Sequence, residues 1–165
     1  MKADRTASPS YSLIDSQSAK TVYASDERGI DGGKIVKGRK RHIVTDTMGN
    51  MLNVKVHAAN IHDTVAGGEV FFGALDKYPT IKGCCADEGY RKTFENYVLS
   101  LGKTVKISEK IKPKGWVVLP RRWVVERTFS WMNNYRRLSK DYEITTASEE
   151  NMVMISHFHT ILKSL

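Results

Sequence analysis

The segment PRRWVVERTFSWMNNYRRLSKDYE, residues 120–143, decides how this chain is read. Pro120 is placed to open a helix, because its missing N–H would have no partner in the first turn anyway. At 100° per residue Val125, Phe129 and Met132 form an apolar stripe. Arg122, Glu126, Asn133 and Arg137 fall on a narrow polar stripe beside it. Glu126 therefore stands at the edge of the buried face, able to reach whatever the helix packs upon. Arg122, one turn earlier, either pairs with Glu126 or contacts a phosphate. Trp123 and Trp131 either fill the core or stack on an extruded base, and packing is the simpler role.

Two more acids sit in informative places. Asp15 closes the run Tyr11-Ser12-Leu13-Ile14, and Asp87 closes Ile81-Lys82-Gly83-Cys84-Cys85-Ala86. Both runs read as buried strands bounded by polar or turn residues. Singly, an acid at a strand end is a turn residue or a cap. If the two strands lie side by side and the helix packs over them, three carboxylates converge on a divalent-metal site of the hard-oxygen type that phosphoryl transfer uses.

The strings DSQSAK (15–20), DGGKIVKGRKRH (31–42), ADEGY (86–90) and the 120–143 segment resemble, in order and spacing, the DDE transposases of bacterial insertion sequences, above all the insertion-sequence-five family. The resemblance runs from about Leu13 to the C-terminus. It implies an α/β, ribonuclease-H-like mixed sheet flanked by helices, with Asp15, Asp87 and Glu126 as catalytic triad and metal ligands. It also implies two Mg2+ or Mn2+ ions, cleavage at transposon ends, strand transfer into target DNA, and self-association in the DNA complex. Many relatives carry Tyr and Arg before the last acid and Lys after it. Arg122 fits the Arg position, but Leu119 and Asn133 stand where Tyr and Lys are usual, leaving Arg136 or Arg137 as substitutes. Glu88 stands where relatives often have Gly. Similar transposases usually carry an upstream helical segment that recognises the element's ends, in some members encoded in a preceding reading frame. The chain is thus expected to be the catalytic part of a second-frame type. Two other outcomes remain open: a non-catalytic DNA-binding or regulatory fragment, and a nuclease without strand transfer.

Composition agrees with one domain spanning residues 1–165. With 41% apolar residues the chain can bury a core. Cys84 and Cys85 are adjacent, so they cannot supply spaced zinc ligands and make a poor disulfide framework. No apolar run approaches a membrane span and the N-terminus lacks a signal-peptide core, so a bacterial cytoplasmic, nucleoid-associated location is expected. Net charge is +8, and residues 101–140 carry eleven Lys or Arg against only Glu109 and Glu126. A second cluster, Lys34, Lys37, Arg39, Lys40 and Arg41, is threaded with glycines. Cations concentrated near catalytic acids suit a polyanion, so Lys37, Arg39, Lys40, Arg41, Arg121, Arg122, Arg136 and Arg137 are the expected DNA contacts; the alternative is a solvated basic face.

The expected order is a strand over about Tyr11 to Ser16, then a glycine-rich, charged connection near residues 23–40, either mobile or DNA-facing. A hairpin follows, His42–Thr45 and Met51–His57 around a turn at 46–50. Next come a helix capped by Asp63, the Asp87 strand, a short helix with Phe94, Tyr97, Val98 and Leu101, and a strand with Val105 and Ile107. Two helices end the chain. The last, capped by Thr146 or Ser148, should pack through Met152, Ile155, His159 and Leu162. His57 and His62 are expected to be structural or hydrated, and His157 and His159 to point in different directions.

Overall fold

Alternation along the first strand sets the layering. The computed structural model describes residues 7–108 and 123–164. β1 (Ser12–Lys20) sends Leu13 into one apolar cluster and Ile14 into another, as a period of two requires when both faces are covered. It extends four residues beyond the expected end, so Asp15 lies inside the strand. β2 (Gly29–Asp31) and β3 (Val36–Asp46) occupy part of the stretch expected to be a loop. β3 pairs antiparallel with β1 over its whole length, from Ser12 opposite Asp46 to Lys20 opposite Gly38. A Cβ on Gly38 would stand 2.0 Å from the Ala19 carbonyl oxygen, so only glycine allows this approach.

β4 (Met51–Ala58) returns antiparallel on β3. Their turn is held by the Asp46 carboxylate, which accepts from the Met48 and Asn50 N–H groups at 2.7 and 2.9 Å, with Gly49 at φ +90°. β5 (Gly83–Asp87) lies parallel to β1 on its other side, and β6 (Thr104–Ser108) lies parallel to β5. The sheet order is β2-β3-β1-β5-β6, with β4 also on β3.

α1 (Asp63–Lys77) and α2 (Thr93–Ser100) cover one face, burying Ile14, Val44, Phe71, Tyr90, Phe94 and Val98. Gly67 of α1 makes room there, since a Cβ would stand 3.0 Å from the Tyr90 ring. The cap of α1 is His62, whose side chain accepts from the Thr64 N–H; Asp63, expected as the cap, is the first helical residue. α3 (Trp123–Asn133) and α4 (Thr146–Leu162) cover the other face, burying Leu13, Ile43, Cys85, Val125, Phe129 and Met132. Burying one such side chain contributes about 1.5–3 kcal/mol, so truncating Ile43 or Phe71, each wholly buried, would open a cavity in one of the two layers.

α4 differs from expectation in cap and phase. Thr145 caps it, accepting from the Ser148 N–H at 3.1 Å. Glu149, Val153, Ser156 and His157 face inward, while Ile155, Phe158 and Leu162 are exposed. Polar bonds set that phase. The Met51 N–H donates to His157 Nε2 at 2.9 Å, and the Val56 N–H donates to Glu150 at 2.9 Å, so α4 caps the edge of β4.

Candidate active site

Parallel pairing places Ser12 opposite Cys84 and Leu13 opposite Cys85. Two residues further along both strands stand Asp15 and Asp87, on the same face as Leu13 and Cys85. The strand adjacency and phase needed for a shared site are therefore present. Both aspartates are half-buried. Asp15 accepts from the Ser16 N–H at 2.8 Å, and Asp87 accepts from the Gly89 N–H at 2.8 Å, capping a 3-10 turn over Glu88–Tyr90. Glu88 is exposed and meets Arg91 at 3.3 Å, a partner of its own.

α3 packs on this same face. One flank of the helix is tied to the β3–β4 turn: Thr128 donates to the Gly49 carbonyl at 3.0 Å and Arg127 to the Met48 carbonyl at 2.7 Å. Two residues from Thr128 the wheel turns 200°, so Glu126 lies on the opposite flank with Asn133. Gln17 of β1 donates to Asn133 at 3.2 Å, which brings that flank against the strand carrying Asp15. Glu126 itself is exposed. Among the described residues no three His, Cys, Asp or Glu side chains form a group able to hold an ion. The fold thus aligns two aspartates and turns the third acid's flank toward them without gathering all three. The pair is a hard-oxygen donor set that fits Mg2+ or Mn2+. Arg121, Arg122 and Pro120 lie outside the described residues. Trp123 is 43% exposed and Trp131 half-buried, so neither is a core residue; instead they sandwich the Arg127 guanidinium at 4.6 and 4.5 Å.

The basic cluster on β3 is corrected by its burial. Arg39 and Arg41 face the α3 and α4 layer, 0% and 1% exposed. Arg39 meets Asp141 at 3.1 Å and donates to the carbonyls of Asp26, Glu143 and Ile144. Arg41 meets Glu149 at 2.5 Å and donates to the carbonyls of Leu138 and Lys140. Lys40 points to the other face and meets Asp63 at 3.0 Å. These three side chains are bound inside the protein because β3 is covered on both faces, and they do not present a surface to DNA. Lys37, Arg136 and Arg137 are exposed, the last two on a 3-10 turn (Arg136–Leu138) beside a cleft of about 260 Å³ that Tyr142 also lines. Glu143 holds Arg137 at 2.5 Å.

On the reverse face of the sheet lies a polar network. The Tyr90 hydroxyl and His42 Nε2 are 2.6 Å apart, His42 Nδ1 and His57 Nε2 3.3 Å, and His57 Nδ1 and the Ala58 carbonyl 3.0 Å. Burial, with nearby His57, pushes His42 down to about 3, and burial lowers His57 as well. Burial raises Tyr90, helped by Asp15, Asp63 and Asp87. The chain therefore holds neutral imidazoles and a protonated phenol. Only the string Glu88-Gly89-Tyr90 beside Asp87 hints at it in the sequence.

Residues 6–161 match the family described as Transposase DDE domain. The chain is 30% identical over 118 residues to a Burkholderia cepacia protein named Putative transposase for insertion sequence element IS402, covering 64% of this chain and 54% of that protein. It thus spans about half the length of the curated relative it matches. Among solved structures it is similar to the catalytic core domain of BIV integrase, with 12% identity, a TM-score of 0.53, and coverage of 89% of this chain and 80% of that one. The HTLV-2 integrase catalytic core domain in complex with magnesium, in its trimeric form, gives 15% identity and 0.52 over 93% and 86%. A chain of the simian T-cell lymphotropic virus intasome, in complex with PP2A regulatory subunit B56 gamma, gives 13% and 0.58 over 93% and 49%. At such identities the likeness is one of fold: the ribonuclease-H-like mixed sheet flanked by helices. No helix among the described residues is long and apolar enough to cross a membrane.

Proposed function

The chain belongs to the transposase DDE-domain family, and from that premise we propose that it is the catalytic part of an insertion-sequence transposase, cleaving DNA strands and joining them to target DNA. The observation that carries this reading is the in-phase parallel register that sets Asp15 beside Asp87, under the helix that bears Glu126. The strings at 86–90 and 120–143 support the insertion-sequence-five group and, with it, self-association in a DNA complex.

Asp15 and Asp87 would hold a divalent ion between them, and Glu126 would join from the flank of α3. A bound pair of such ions supplies activation of the attacking oxygen and stabilisation of the leaving one. The Ser16 and Gly89 N–H groups each hold one carboxylate oxygen of the pair, which would limit the rotamers the two aspartates present to an ion. Arg136, Arg137 and Lys37, with Arg121 and Arg122, would meet phosphates and align the strand for in-line attack. Asn133, bonded to Gln17, adds a neutral amide where relatives often carry a lysine.

The test is nicking of DNA bearing the element's ends, by the chain alone and by the chain joined to a recognition segment of a related transposase, in Mg2+ or Mn2+. Asp87→Asn keeps shape and removes a ligand charge. It should lower the cleavage rate at least about 100-fold while DNA binding persists. Equal cleavage by the variant removes Asp87 from the mechanism. A non-catalytic DNA-binding fragment is the second reading, favoured by the solvent exposure of Glu126. DNA binding without cleavage by the wild type in either metal would establish it.

A further inference from the structure

We propose that Tyr90 is a positioning residue for Asp87, acting through a one-way hydrogen-bond chain that crosses the reverse face of the sheet to β4. The proposal rests on the reading of Asp87 as a metal ligand and adds a residue to it. The direction of the chain follows from its far end. The Ala58 carbonyl only accepts, so His57 Nδ1 carries the proton, and the neutral ring must accept at Nε2. His42 therefore donates from Nδ1 and accepts at Nε2. Tyr90 must donate its O–H to that nitrogen, across 2.6 Å. The phenol donates to His42, and the Ser16 hydroxyl on β1 also lies within hydrogen-bond reach of it, so it is held from two strands of the sheet.

The ring is fixed as well. Tyr90 is 0% exposed, meets Phe94 edge-on at 5.2 Å and rests against Gly67. Tyr90 ends the 3-10 turn that begins at Glu88, and the N–H in the middle of that turn, Gly89, holds Asp87 Oδ1. Anchoring Tyr90 thus fixes the Gly89 N–H, and the Gly89 N–H fixes the rotamer of the Asp87 carboxylate. The sheet supplies the rigid frame, since His42 is on β3 and His57 on β4, two and three strands away from β5.

Tyr90→Phe keeps the ring and removes the donor, and it can be read without metal or substrate. In metal-free protein the Gly89 amide and the Asp87 carboxyl carbon should shift in NMR spectra. The ring nitrogens of wild-type His42 and His57 should both report a proton on Nδ1. Mg2+ titration should then require about tenfold more metal for half-saturation in Tyr90→Phe, the scale found when a group that orients a ligand is lost. Val98→Ala, a packing change in the same core cluster, is the stability control and should leave the Asp87 signal and the Mg2+ midpoint unchanged. His57→Leu severs the chain and should act like Tyr90→Phe. His57→Gln offers an amide oxygen to His42 and should restore it; this pair serves if Tyr90→Phe fails to fold. An unmoved Gly89 amide and Asp87 carboxyl in both severed variants, or a proton on Nε2 of His42 in the wild type, overturns the proposal. Shifts as expected with no Mg2+ binding by the wild type would instead overturn the reading of Asp87 as a ligand.

Discussion

Arg39 and Arg41 on β3 lie wholly inside the protein, whereas Arg136 and Arg137 lie outside it, on the turn after α3. Both pairs are cations in basic strings. Their fates differ because β3 has neighbours on both edges and helices on both faces, so a side chain on its α4 side has nowhere to go but inward. There the guanidinium groups are matched by Asp141, Glu149 and a set of backbone carbonyls between residues 138 and 144. Those carbonyls belong to the connection that follows Arg136 and Arg137. The inner pair therefore holds the chain that carries the outer pair, and its part in the proposed DNA contact would be limited to shaping that surface.

The strongest way to break this contrast is to remove an inner cation. Arg41→Ala leaves Glu149 buried without its partner and should destabilise the fold by about 3–5 kcal/mol, read from the shift of the urea midpoint. The double change Arg41→Met with Glu149→Leu should recover much of that loss, since a paired charge and an apolar pair of similar volume are close in stability. A loss of less than about 1 kcal/mol in the single variant would mean that the Arg41–Glu149 pair does not hold the fold together.

His42 sharpens the contrast, since it follows Arg41 on the same strand but hydrogen-bonds Tyr90 and His57 in place of a carboxylate, with Asp63 and Lys40 acting only from a distance. Its folded pKa of about 3 lies below the ordinary 6.5. Between those values the unfolded chain binds a proton that the folded chain refuses, so the histidine's contribution is complete above pH 6.5 and fades as pH falls toward 3. Stability should drop by about 1.4 kcal/mol per pH unit in that window from this residue alone. The depressed His57 and His157 act in the same direction. Urea unfolding at pH 7 and pH 5 measures the slope, which should flatten in His42→Gln; an unchanged slope assigns the acid sensitivity elsewhere.

The outer pair should show the opposite profile. Arg136→Ala with Arg137→Ala should change stability by less than about 0.5 kcal/mol and weaken binding to unrelated DNA sequences alike. The salt dependence should lose about one unit of slope for each phosphate contact removed. Lys37→Ala, on the β2–β3 end of the sheet, should do the same to a lesser degree. Weakened binding to one sequence alone would contradict a phosphate role.

Much of the frame was legible locally. The Met51–His57 arm and the Asp87 strand show their alternation or apolar run directly, and the α3 stripe of Val125, Phe129 and Met132 is buried as its spacing requires. What was hidden depends on partners distant in sequence. Arg39 and Arg41 read as solvent-facing because Asp141 and Glu149 lie 102 and 108 residues away. The start of β3 read as a loop because Gly38 and the cations resemble one until β1 closes on them. α4 was phased by its apolar residues, whereas bonds from Glu149 and His157 turned it, leaving Ile155 and Phe158 outside. Of Tyr90 the sequence shows only its place beside Asp87, because His42 is 48 residues away. Even the adjacency of Asp15 and Asp87, suggested by two similar strand ends, follows only from the parallel register.

Asp15 and Asp87 are proposed to share a divalent ion, and manganese diffraction addresses this most directly. Crystals grown with Mn2+ and measured at the manganese absorption edge should show an anomalous peak between the two carboxylates, on the face beneath α3, with Glu126 turned toward it. In Asp87→Asn crystals of the same form that peak should vanish while β1 and β5 keep their register. A peak located elsewhere, or one that persists between these strands in the variant, would contradict the account.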